Sequence, residues 1–381
     1  MIRRRDIPPR SFANTRSFPG TAGNPFDVIL QSAHRFTRIP NPVILVFLVV
    51  LAFLGGKFYW QHALIWLCFF LLDGLLLFLL PVMKRSYGAI KPVLLMLAVL
   101  RTPFALLPFW CAFGFEFLGT ILIILGFFIE PFHLDVHHEE LTSVKIAKND
   151  RISIAHLGDL HIERITRREE QILKELESDP PDLILFSGDV LNLSYVHDDY
   201  AQQQAREFLA TLHAPLGVFA VTGSPPVDPP DVFASLIDGT EVQWLADKQA
   251  MIKLNKSSIN ITGLTCTHHP DEDFVRLEKL SSDPASFNIL LYHSPDFAPL
   301  ASKAGFDLQL SGHTHGGQVR LPLYGAIFAA SLYGKLFESG RYLLGKMTLY
   351  VTRGLGMEGG IAPRVRLLCP PELVFWDISG K

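Results

Sequence analysis

Residues 308–317 read Leu308-Gln309-Leu310-Ser311-Gly312-His313-Thr314-His315-Gly316-Gly317. A short apolar run passes into glycine, then into two histidines separated by one residue, then into two more glycines. In such a loop the middle residue points away, so His313 and His315 converge on one side, while the glycines let backbone and a bound group approach closely. Three other candidate strands end in a comparable way. Ile152–Leu157 runs into Gly158-Asp159-Leu160-His161, Leu183–Ser187 into Gly188-Asp189, and Phe287–Tyr292 into His293. An Asp or His after a single strand is ordinarily a turn residue or a helix cap. The conjunction is different, because oxygen and nitrogen donors arrive at successive strand ends. A carboxylate between two cation positions bridges them, and imidazoles suit borderline divalent ions such as Mn, Fe or Zn.

Between these strands the hydrophobic period changes. Thr166–Glu177 has N-cap chemistry and helical spacing of Ile172, Leu173 and Leu176, and Tyr200–Leu212, Glu272–Leu280 and Phe297–Ala304 read as further helices. Gly217–Thr222, Ile259–Leu264, Met347–Val351 and Leu373–Asp377 read as strands. Repeated strand–loop–helix units imply an α/β domain over residues 150–381, with helices covering sheets. In such folds functional residues gather in loops at the carboxyl ends of strands.

The rest of the 381-residue chain has a different composition. Residues 42–131 are dominated by Leu, Phe, Ile, Val and Ala and predict a transmembrane region of about four helices. Ala63–Met83 is interrupted only by Asp73. Val93–Ile129 is too long for one span and is read as two, with a turn near Pro108–Cys111; Arg101 and Glu116 then face each other across the hairpin, offsetting the cost of charge in the membrane. Residues 1–41, with Arg3, Arg4, Arg5, Arg10, Arg16, Arg35 and Arg38, read as a flexible basic arm that rests on anionic lipid. The positive-inside rule places this arm and the Lys84-Arg85 loop in the cytoplasm, and an even number of spans returns the soluble domain there. The formal net charge is −3, and the soluble part has no basic stripe, which argues against nucleic-acid binding. The four cysteines are scattered and imply neither a disulfide framework nor a zinc knuckle.

Over residues 150–377 the order of these motifs resembles the calcineurin-like metallophosphoesterase family, whose pattern is D-x-H, G-D, G-N-H-[DE], a lone His and G-H-x-H. The resemblance implies a four-layer α-β-β-α sandwich and two divalent metal ions. Asp159, His161, Asp189 and His315 would hold the first ion; Asp189 would bridge, and His293 and His313 would hold the second. The apolar helices, the Gly-His-Thr-His-Gly-Gly-Gln run and Arg353-Gly354-Leu355-Gly356 look like the membrane-associated bacterial branch, which includes enzymes cleaving the pyrophosphate of UDP-diacylglucosamine. That implies a phosphohydrolase acting on a phosphorylated small molecule or a lipid-linked substrate, with Arg353 a candidate phosphate contact.

One motif departs from the pattern. After Gly217–Thr222 the chain reads Gly223-Ser224-Pro225-Pro226-Val227-Asp228. Ser224 stands where the family has its ligating Asn, and Pro225 stands where its His assists the leaving group. Either the second metal is weakened and the protein is a degenerate binder, or Asp228, Asp231, His268 or His269 supplies the missing groups. For His268 and His269, in a loop before Pro270, exposure is the plainer expectation. A third alternative makes the helices a channel or transporter, which their few polar residues disfavour.

Overall fold

A computed structural model of the chain describes residues 3–5, 7–10, 34–280, 282–360 and 362–381. The apolar region forms four α-helices: α1 (Asn41–Gly55), α2 (Trp60–Val82), α3 (Ile90–Arg101) and α4 (Phe109–Ile124). Among the described residues, only α2 and the segment Phe109–Phe132, in which a π turn prolongs α4, have the length and apolarity to cross a membrane. At 1.5 Å per residue α1 and α3 reach roughly 22 and 18 Å, short of a ~30 Å hydrocarbon core. The turn between α3 and α4 falls at Thr102–Pro108, at and just before its expected place.

The helices share a buried ionic cluster. Arg101 donates to both carboxylate oxygens of Asp73 at 2.7 Å, to Glu116 at 2.8 Å and to Thr120 at 2.9 Å. The expected Arg101–Glu116 pair therefore forms, and Asp73 joins it from α2. A planar five-donor guanidinium can satisfy two carboxylates and a hydroxyl at once, which an ammonium cannot do in one plane.

The remainder builds two facing sheets. One runs β2-β15-β3-β4-β5-β6, with β2 Asp135–Ser143, β3 Arg151–Leu157, β4 Leu183–Phe186, β5 Val218–Ala220, β6 Val242–Trp244 and β15 Glu372–Gly380. The other runs β1-β13-β14-β10-β9-β8-β7, with β1 Arg3–Arg5, β7 Lys248–Lys253, β8 Ser258–Gly263, β9 Phe287–Leu291, β10 Leu308–Ser311, β13 Gly340–Leu344 and β14 Met347–Val351. A small hairpin, β11 (Arg320–Leu321) with β12 (Gly325–Ala326), stands apart. Along β3, Ile152 and Ile154 point between the sheets, whereas Ala155 and Leu157 point to the helix side. Ile152, Ile154, Leu185, Ile261, Ile289 and Leu310 are among the side chains that fill the space between the sheets. Full burial of each such side chain contributes ~1.5–3 kcal/mol, so this layer fixes where the strands end.

Helices cover both outer faces. Behind the first sheet lie α5 (Arg167–Ser178), α6 (Asp199–Ala210) and α7 (Pro230–Ile237); behind the second lie α8 (Pro270–Leu277) and α9 (Ala298–Lys303). This is the α-β-β-α layering that the resemblance implies. Helix α5 starts where its sequence says, with Thr166 capping Arg168 N and Glu169 returning to Thr166 N at 2.8 Å. Residues 3–5, read above as part of a basic arm, pair in parallel with β13; residues 11–33 of that arm lie outside the described residues.

The helical region and the sandwich are tied together at one end. Tyr87 N donates to Glu163 at 2.9 Å, Tyr195 Oη to Tyr87 O at 2.7 Å, and Arg366 N to Gly126 O at 2.9 Å. The loop between α2 and α3 and the end of α4 thus pack directly on the sandwich.

Candidate metal centre

Strands β3, β4, β9 and β10 end on the same edge of the sandwich, and their loops bring Asp159, His161, Asp189, His293, His313 and His315 together. All six are buried. The backbone is shaped for this: Asp159, His161, Asp189, His313 and His315 adopt φ between 44° and 71°, a region costly for side chains other than glycine. Such strain persists where the surroundings over-determine it, and it clusters at functional sites. Two glycines are required by close approach. A Cβ at Gly312 would lie 2.1 Å from Asp159 Oδ2, and one at Gly223 would lie 2.0 Å from Asp189 Oδ1.

The polar atoms face inward and toward one another. His161 Nε2 and His315 Nε2 are 2.9 Å apart, Asp189 Oδ2 is 3.5 Å from His161 Nε2 and 3.3 Å from His293 Nε2, and His315 Nε2 is 3.7 Å from Asp159 Oδ1. Orientation comes from the outer partners. His293 Nδ1 donates to Ser187 O at 2.9 Å, which turns Nε2 inward. Asp159 Oδ1 accepts from His313 N at 2.8 Å and Asp189 Oδ1 from Ser224 N at 2.6 Å. Asp228 is a brace: its carboxylate accepts from Asp189 N, Val190 N and Gly223 N at 2.7–3.0 Å, tying two site loops together.

The donor set fits divalent cations. Buried polar atoms are normally satisfied, yet Asp159 Oδ2, His161 Nδ1 and His315 Nδ1 have no hydrogen-bond partner among the described residues. One donor atom each from Asp159, His161 and His315, and one each from Asp159, Asp189 and His293, lie within 4.8 Å of one another. Charge states vary across the site: at His293 burial is overridden by the charge of Asp189, which pushes the imidazole up to about 9. Burial pushes the Asp159 carboxyl up to about 6, with Asp189 adding to the effect. Burial opposes ionisation of Asp189 too, but His293 and His161 override it and hold that carboxyl below its usual range. Burial holds His313 and His315 well below the ordinary histidine value, so they are neutral donors.

The residues of the altered motif are placed as follows. Ser224 is buried beside His293, with Oγ 3.3 Å from Nε2, and Pro225 is exposed. Asp231 is exposed in the first turn of α7, and His269 is half-buried. His268 corrects the expectation of an exposed loop residue: it is buried, its ring centroid is 4.3 Å from that of His313, and its Nε2 lies 3.1 Å from Ser224 Oγ. The cause is Asp273, which accepts from Thr267 N and Oγ1 and from Tyr292 Oη, and draws the loop down onto the sheet. Arg353 is engaged elsewhere, donating to Asp135 at 2.7 Å and lying 3.3 Å from Glu372. Glu358, which carried no signal in the sequence, comes within 4.0 Å of His315 Nε2.

A cleft of about 240 Å³ opens beside this cluster. It is lined by Ser224, His313 and His315 of the cluster together with the apolar side chains of Leu193, Val227, Val319, Phe328, Pro363 and Val365.

Comparison with known proteins gives the same direction. The sequence profile of the calcineurin-like phosphoesterases matches residues 152–317. The chain is 31% identical over 260 residues to the uncharacterized metallophosphoesterase YkuE of Bacillus subtilis, covering 66% of this chain and 88% of that protein. It is 29% identical over 279 residues to an uncharacterized metallophosphoesterase of Aquifex aeolicus, covering 68% and 98%. It is 25% identical over 293 residues to the UDP-2,3-diacylglucosamine pyrophosphatase LpxG of Chlamydia trachomatis, covering 60% and 84%. With a relative matched over most of its length and the profile lying across the strands that carry Asp159 to His315, the chain belongs to the calcineurin-like metallophosphoesterase family.

Proposed function

We propose that this protein is a membrane-anchored hydrolase of phosphodiester or pyrophosphate bonds in lipid-linked substrates, using two divalent metal ions. The convergence of buried carboxylates and imidazoles on one edge of the sandwich, with Asp159 Oδ2 left without a hydrogen-bond partner among the described residues, carries this reading. Asp159, His161, Asp189 and His315 would hold one ion; Asp189, His293 and His313, beside Ser224, would hold the other. Such a pair supplies Lewis acidity toward phosphoryl oxygens and lowers the pKa of water toward ~7.

The chain's own residues do the rest. Asp228 and the Ser187 carbonyl hold the donors in place, and the cleft orients the substrate with its apolar part against Phe328 and Val365. Pro225 can donate no proton to a leaving group. Phosphate leaves without the protonation that an alkoxide needs, so the motif change favours pyrophosphate over alkyl esters.

Apolar surface supports the lipid-linked part. Leu125 and Ile129 at the end of α4, Leu368, and Leu321, Leu323, Tyr324, Ile327 and Phe328 of the β11–β12 hairpin are all exposed. Arg320 N donates to Leu367 O, and Arg366 N to Gly126 O, so one segment joins the hairpin to the helix end. Lys335 sits 3.4 Å from the Tyr324 ring centroid, the pairing of aromatic and cation found at membrane interfaces. The LpxG relatives are named for a diacylated pyrophosphate substrate, in keeping with this. The arginines before α1 favour the cytoplasmic side for the N-terminal arm, and the pairing of Arg3–Arg5 with β13 brings the sandwich to that same side.

The test is hydrolysis by the full chain in lipid nanodiscs. Expected is chelator-sensitive cleavage of a diacylated nucleoside pyrophosphate at least ~10-fold faster than of an alkyl monoester. Equal rates would overturn the pyrophosphate preference, and no metal-dependent cleavage of either would overturn the enzyme. Leu323→Asp with Ile327→Asp is expected to slow the diacylated substrate ~10-fold or more, since a charge in the bilayer costs ~2.5–3.5 kcal/mol, and to leave bis(4-nitrophenyl) phosphate unaffected.

A further inference from the structure

The loop between β8 and α8 carries His268 into the half of the site where the family pattern fails. We propose that His268 is the ligand that replaces the family's asparagine, so that the second metal position is held by His268, His293 and His313 together with Asp189. The inference rests on the two-metal reading above and concerns which side chains complete it.

Geometry supplies the case. One donor atom each from His268, His293 and His313 lies within 4.8 Å of the others. The His268 ring is fixed on its outer side, where Nδ1 lies 3.8 Å from Cys266 Sγ, and this turns Nε2 toward the site. The φ of +60° at His268 is the same left-handed conformation that Asp159, His161, Asp189, His313 and His315 adopt. Arg276 pairs with Asp273 at 2.6 Å, so the anchor holding the loop down is itself held.

Ser224 accounts for the room. Its Oγ lies between His268 Nε2 at 3.1 Å and His293 Nε2 at 3.3 Å. A serine carries a small hydroxyl where an asparagine carries a larger carboxamide, and the imidazole arrives from the opposite sheet into the volume left. The two changes therefore read as one exchange, an amide oxygen from the β5 loop for an imidazole nitrogen from the β8 loop. Nitrogen in place of oxygen moves the position toward Zn and Co and away from Mn.

The test counts metal. The full chain in detergent is stripped by chelation and reloaded with Mn, Co or Zn, and ions per chain are measured by mass spectrometry; electron paramagnetic resonance reads spin coupling in the Mn form. Two ions per chain are expected for the native sequence and for Ser224→Ala. His268→Ala is expected to hold one ion and to lose the coupling. His268→Ala with Ser224→Asn is expected to regain the second ion and to bind Mn relative to Zn better than the native protein does. Rescue requires a folded chain, so it separates a lost ligand from a lost fold. Two ions in His268→Ala, or no rescue in the double variant, would overturn the proposal while leaving the two-metal reading standing. Fewer than two ions in the native protein would overturn both.

Discussion

Asp189→Asn is expected to lower phosphohydrolase activity by more than ~10³-fold while leaving the fold in place. Loss of a residue that merely orients a metal ligand costs ~10–100-fold. Asp189 is itself placed between the two halves of the donor set, 3.5 Å from His161 and 3.3 Å from His293. The amide keeps the shape of the carboxylate and retains an oxygen for Ser224 N, so the loop geometry has no reason to change. It removes the charge that a bridging ligand needs. The thermal midpoint in chelator should therefore stay close to that of the native chain. The rise in midpoint on adding metal, which follows RT ln(1 + [L]/Kd) and reaches ~2.7 kcal/mol at a hundredfold excess over Kd, should largely disappear. A variant that keeps a tenth of native activity with full metal stabilisation would remove Asp189 from the bridging role.

The second large effect lies in the helices. Arg101→Met is expected to destabilise the helical region by ~3–5 kcal/mol, the usual result of deleting one partner of a buried ionic group. Both Asp73 oxygens and one Glu116 oxygen are bonded to this guanidinium, and all three residues are buried. Methionine fills the volume but leaves two carboxylates facing each other without a cation. Replacing all three, with Arg101→Met, Asp73→Leu and Glu116→Leu, should recover most of the loss, because well-packed apolar groups often equal or exceed a buried ionic cluster. Thermal unfolding in detergent measures both variants. A single variant within ~1 kcal/mol of the native protein would mean that the cluster contributes nothing to stability.

The strands that carry chemistry are legible because their sequences combine two strong local signals. Residues 152–157 and 287–292 are apolar runs, and each passes into a metal-donor side chain, directly at His293 or through one glycine at Asp159. Strand β2, reading Asp135-Val136-His137-His138-Glu139-Glu140-Leu141-Thr142-Ser143, is not legible, since it is an edge strand only partly buried. Strand β7 is likewise an edge strand exposed along most of its length, and β13 is only partly buried. Their pairing is decided by partners distant in sequence, as when β15 lies parallel to β2 and antiparallel to β3. The burial of His268 escapes a local reading for the same reason. It depends on Asp273 and on Tyr292, and the latter belongs to another strand's end. Arg353 has the opposite fate: glycines around it suggest an exposed contact, but its partners Asp135 and Glu372 come from β2 and β15.

The position of β15 bears on how the protein is made. A ribosome delivers β2 and β3 soon after the apolar helices, but these two strands do not touch as neighbours in the finished sheet. The slot between them stays open until β15 has been synthesised, and an unfilled slot exposes two rows of unpaired amides and carbonyls. Chains of this size fold through intermediates that are vulnerable while such edges are free. A nascent chain that stalls after β14 would carry every proposed metal ligand and still lack the strand holding Glu372 and Trp376. Synthesis of β15 thus closes the sheet, and chains terminated before it are expected to be cleared by proteolysis rather than accumulate in a partly folded form.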